Sequence, residues 1–74
     1  MTPDELIELA EHHDAQAEDH RGAAAMFLEM GSDVGRVRML SNETWHREMA
    51  AKLRAHAALL TAAASVEARL VNCT

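Results

Sequence analysis

The chain has 74 residues, with 12 acids against 7 bases for a net charge of −5, and 49% of it is apolar. Fifteen of the apolar residues are Ala, leaving 8 Leu, 5 Met, 4 Val and one each of Ile, Phe, Trp and Cys. A chain this short is limited to one domain, buries only about 60% of its unfolded surface and is marginal as a monomer, so self-association is expected; with two aromatics and no Gly-rich loop it has little room for a pocket of ~300 Å³, which argues against an enzyme.

The first element opens on a strong start signal. Thr2 suits an N-cap, Pro3 sits where a missing N–H costs nothing, and Glu5 stands at the reciprocal position of a capping box. Asp4 and Glu5 complement the positive end of the helix dipole. Nothing stops this helix before Gly31, a suitable C-terminal cap, so it is predicted over about 3–30. Residues 31–42 are read as a connector: Ser32 can cap a short turn or an extension of the next helix, and Gly35 weakens both. Ser41 and Asn42 are N-caps for a second helix over about 43–71, which contains no Gly or Pro. No strand is predicted.

Both helices carry apolar rows at a spacing of seven. In the first they are Leu6, His13, His20, Phe27; Leu9, Gln16, Ala23, Met30; and an all-small row, Ala10, Ala17, Ala24, Gly31. In the second they are Met49, His56, Ala63, Leu70; Trp45, Lys52, Leu59, Val66; and His46, Leu53, Leu60, Glu67. The fold class expected is all-α: an antiparallel two-helix hairpin, with the small row allowing close approach, that dimerises into a four-helix bundle. A turn near residue 36 sets Phe27 against Trp45, Leu9 against Ala63, Leu6 against Val66, and His56 beside Gln16 between His13 and His20. His13, His20 and His56 then form a polar core layer, whose imidazoles would charge near pH 6.5 and weaken an interface.

Charge divides the chain. Residues 1–20 hold seven acids and no Lys or Arg, whereas six bases face three acids from residue 34 onward. The acidic first helix therefore faces a basic second helix. Asp4, Glu8, Glu11 and Glu18 form a column along one side of the first helix, able to occupy a Lys- or Arg-lined groove by placing carboxylates where phosphates would sit. Met26, Met30, Met39 and Met49 with Phe27 and Trp45 are expected at the turn end, and Trp45 is the natural interface anchor. Direct nucleic-acid binding is disfavoured, because the bases are neither clustered nor interleaved with aromatics.

Metal chemistry finds less support. His13 and His20 stand seven apart, ~10.5 Å along a helix, too far for one ion. Glu8-Leu9-Ala10-Glu11 resembles the Glu-x-x-Glu half-signature of all-helical, magnesium-dependent nucleotide pyrophosphohydrolases, but the Glu-x-x-Asp half is missing; a hydrolase built across a dimer around Glu8, Glu11 and His12 is the weakest of three readings. No cofactor or metal is expected. Cys73 cannot form an internal disulfide, the N-terminus is acidic, and no apolar run approaches the ~18 residues of a membrane span, so a soluble, cytoplasmic protein is expected.

The segments His20-Arg21-Gly22-Ala23-Ala24-Ala25-Met26-Phe27 and His46-Arg47-Glu48-Met49-Ala50-Ala51-Lys52-Leu53 share His-Arg and Ala-Ala at a period of 26. In these segments, its size and its acidity, the chain resembles the very small, Ala-rich helical proteins encoded by phages and prophages, anti-CRISPR and other host-takeover inhibitors among them. The resemblance implies a non-enzymatic, stoichiometric inhibitor that binds a bacterial host protein, such as a nucleic-acid-binding complex with a basic groove, through its acidic helix or its Met/Trp end. The alternative is a structural or assembly subunit whose helices complete a bundle.

Overall fold

The capping signal at the N-terminus forms as its spacing dictates. The Thr2 N–H donates to Glu5 Oε1 at 3.1 Å and the Glu5 N–H donates to Thr2 Oγ1 at 3.2 Å. The carboxyl of Glu5 is held below its usual range, first by the Thr2 backbone N–H and then by the Thr2 side chain. The computed structural model describes residues 1–72, in which two helices, α1 (Pro3–Glu29) and α2 (Asp33–Asn72), run antiparallel with no strand among the described residues. The molecule is a rod of 67 × 14 × 13 Å. Cys73 lies outside the described residues.

Three residues make the turn. Gly31 has φ +75, the left-handed conformation that only a residue without a Cβ adopts at little cost. Around it the Ser32 N–H donates to the Phe27 carbonyl at 2.9 Å and the Gly31 N–H to the Leu28 carbonyl at 3.1 Å, the two bonds of a Schellman cap. Ser32 then starts α2, its Oγ accepting from the Gly35 N–H at 3.2 Å and its carbonyl from the Arg36 N–H at 3.1 Å.

This corrects the expected connector. Residues 33–42 are helical, and Ser41 and Asn42 lie inside α2 rather than capping it. The physical reason is that Ser32 already satisfies the first free N–H groups, and nothing between Asp33 and Asn42 removes a backbone donor. Gly35, which weakened the helical reading, has a packing role instead: a Cβ built there would lie 2.5 Å from the Phe27 ring. The absent side chain lets that ring lie over the first turn of α2.

The seam follows the small row. Ala10, Ala17 and Ala24 of α1 are buried, and Ala50 and Ala57 repeat the spacing on α2. Leu6 is the only buried residue larger than Ala among those described. Half-buried His13, His20 and Phe27 alternate with the α1 alanines, as Met39, His46, Leu53 and Leu60 do with those of α2. Small side chains at every seventh position let two helix backbones approach closely, which gains dispersion contacts but buries little apolar area.

The register differs from expectation because the turn centres on Gly31, five residues before position 36. Phe27 meets Gly35 rather than Trp45. Neither Ala63 nor Val66 is covered, so neither is packed against Leu9 or Leu6 as expected. The earlier turn also makes the helices unequal: 27 residues against 40, or about 40 Å against 60 Å. Residues 61–72 consequently run past the start of α1, and every one of them is exposed. No helix of the described residues is long and apolar enough to cross a membrane.

Candidate functional site

Two flanks border the alanine seam, and their side chains are of different kinds. One flank is ionic. Arg54 meets Asp14 at 2.7 Å, and Arg47 bridges Glu18 on α1 at 2.7 Å and Glu43 on its own helix at 3.3 Å. Arg47 is held above its usual range first by the hydrogen bond it donates to Glu18, then by the one it donates to Glu43. The acidic first helix and the basic second helix thus meet through specific pairs. Their side chains remain partly open to water, which keeps each pair weak.

The opposite flank holds imidazoles. His13 and His46 approach through their Nδ1 atoms at 2.8 Å, so one ring's N–H donates to the other's lone pair. His20 stacks on His46 with ring centres 5.3 Å apart and an interplanar angle of 15°. Trp45 presents its ring edge-to-face to His46 at 4.9 Å and to His13 at 5.7 Å. His12 lies 6.3 Å from His13, and its Nε2 meets Gln16 Nε2 at 2.9 Å.

Burial pushes the His46 imidazole below its usual range, with His13, His20 and His12 acting in the same direction. The geometry agrees: a shared Nδ1 contact needs one lone pair, so it is lost if both rings carry two N–H groups.

The histidine layer therefore exists, with one member exchanged. His13 and His20 belong to it, but His56 is exposed, and His46 takes the expected place between the two α1 histidines. The displaced register is the cause: with the turn at Gly31, His46 comes level with the middle of α1 and His56 falls on the outer side of α2. The sequence signal for His46 is its own apolar row with Leu53 and Leu60, both half-buried in the seam. Gln16 bonds to His12, not His56.

The acidic column divides. Asp4, Glu8 and Glu11 are exposed and form no ion pair within 4 Å among the described residues, whereas Glu18 is held by Arg47. Trp45 is 53% exposed, but it lies midway along the hairpin rather than at the turn end. Thirteen residues of helix separate it from Ser32, ~20 Å. Met26 and Met30 are exposed at the turn.

Among the described residues no three His, Cys, Asp or Glu side chains come together in a geometry that holds a metal ion. The surface grooves are open ones, such as that lined by Ile7, Arg54, Ala57 and Thr61. No family model matches the chain, and no curated protein or solved structure is similar enough to count as a match.

Proposed function

We propose that this chain is a non-catalytic protein-binding module that acts by occupancy, an inhibitor of the type that phages and prophages direct at bacterial proteins. The observation that carries this reading is the division of the acids on α1. Asp14 and Glu18 neutralise Arg54 and Arg47, while Asp4, Glu8 and Glu11 point outward with no ion pair from the chain's own bases among the described residues. The exposed acids of α1 complement a Lys- or Arg-lined groove that otherwise takes phosphates, with the charge steering the encounter. Trp45, exposed on the imidazole flank, serves as the apolar anchor of this reading.

The test is charge reversal at Glu8 and Glu11, two positions outside the seam. The wild-type chain should retain a basic partner from nuclease-treated bacterial lysate, short duplex DNA should compete for that partner, and Glu8→Lys with Glu11→Lys should lower retention about tenfold or more at unchanged helicity. Retention that is indifferent to both reversal and DNA removes the acidic column as the contact surface. A second reading, an assembly subunit, is favoured by the uncovered segment 61–72; it predicts no retained host protein.

A further inference from the structure

We propose that a second copy of this chain docks antiparallel along the outer face of α2, about a two-fold axis at Leu59, and covers the segment that α1 leaves bare. The inference stands apart from the acidic column of α1 on which the inhibitory reading rests, and the two share only Trp45, at the edge of the stripe. Its starting point is a stripe. Trp45, Lys52, Leu59 and Val66 recur at a spacing of seven, as do Met49, His56, Ala63 and Leu70, and at about 100° per residue these two rows adjoin. The stripe lies on the side of α2 away from the seam alanines. Leu59 is 70% exposed and Leu70 64%, with Val66 also open.

Three observations identify the occupant. First, the chain's own interior is five alanines and one leucine, too little apolar area to hold a hairpin of this length. Second, α2 continues with heptad spacing through Val66 and Leu70, and every residue of 61–72 is exposed. Third, four charges lie in or beside the stripe, Lys52 within it and Glu48, Glu67 and Arg69 next to it, all exposed and none in an ion pair within 4 Å among the described residues.

An antiparallel copy centred at Leu59 uses all four. Glu48 comes within one residue of facing the second copy's Arg69, and Lys52 within one residue of facing the second copy's Glu67. Ala55 faces Ala63 across the axis, leaving room for Leu59 to meet Leu59, and Met49 comes within one residue of facing the second copy's Leu70. The two-fold makes each contact twice. A parallel copy in register would instead set each of these charges against itself. The overlap runs over about 27 residues, ~40 Å, and is a self-complementary interface of coiled-coil type, with the charges at its edges setting orientation.

Sedimentation equilibrium on the full chain, with circular dichroism to follow helicity, tests the proposal. The wild-type chain should be a dimer at low micromolar concentration. Arg69→Glu and Glu48→Arg should each weaken dimerisation about tenfold, and the double swap should recover most of that loss. Leu59→Glu should weaken it about a hundredfold or more. In a Cys73→Ser background, Leu59→Cys should oxidise to a covalent dimer, because only a residue on the axis meets its own copy at disulfide distance. That pattern supports the proposal even if Leu59→Glu unfolds the chain, since the charge swap and the cross-link leave the seam intact. A wild-type monomer, a dimer indifferent to charge at positions 48 and 69, or failure of Leu59→Cys to cross-link overturns it.

Discussion

The ionic flank and the imidazole flank lie at the same level of the hairpin, on either side of one alanine seam, yet they respond to water in opposite ways. Arg47 and Arg54 keep their charges whether paired or solvated, so Glu18 and Asp14 add orientation more than stability. His13, His20 and His46 pack ring on ring, and the short Nδ1 contact of His13 with His46 is lost if both of those rings carry two N–H groups. The same helical pairing thus carries one side that tolerates solvent and one that is conditional on it. This follows from chemistry: a guanidinium does not lose its proton in the accessible range, whereas an imidazole changes charge near pH 6.5.

The comparison breaks most completely if the seam that holds both flanks together is forced apart. Ala17 has no exposed surface, and Ala17→Leu should cost about 1–3 kcal/mol by overpacking, with both flanks lost in one urea unfolding transition.

Acid should separate the flanks next. Folding lowers the affinity of His46 for a proton, so the unfolded chain takes up that proton first as pH falls through 6.5. The stability of the fold is therefore unaffected by this group well above pH 6.5 and declines below it, until the lowered value of the folded state is passed. The melting temperature should fall between about pH 8 and pH 5, and His46→Leu should flatten that dependence while leaving the ion pairs in place. A pH profile that His46→Leu leaves unchanged would place the acid sensitivity elsewhere.

The smallest effect belongs to the ionic flank. Arg54→Gln should shift the urea midpoint by an amount equivalent to less than about 1 kcal/mol, because both partners are partly exposed. Raising the salt concentration should shrink the difference between wild type and variant, whereas the acid response of the imidazole flank should persist.

The hairpin itself was legible in the sequence. Thr2, Pro3 and Glu5 announced the first helix with its cap, and the row Ala10, Ala17, Ala24 announced the face it would bury, because both signals are local and repeat within one helix. The site was half legible. His13 and His20 lie on an α1 row that reads directly, but the partner on α2 depends on register, and register depends on where the chain turns. Gly31 and Gly35 each stood as plausible breaks. Only the packing of Phe27 over Gly35 distinguishes a helix that needs a glycine there from a loop that uses one.

The sequence by itself determined that this protein is two helices, the first ending at Gly31, with a column of acids along the first and a row of small residues, Ala10, Ala17 and Ala24, where it meets the second. Those properties come from capping groups, helix periodicity and the order of charges, all of which act within a few residues. The tertiary structure decided that His46 rather than His56 completes the imidazole layer, that Glu18 is paired while Glu8 and Glu11 are not, and that residues 61–72 run past the start of α1. Moving the turn by five residues slides α2 along α1 and changes every cross-helix partner, a consequence that no single helix encodes.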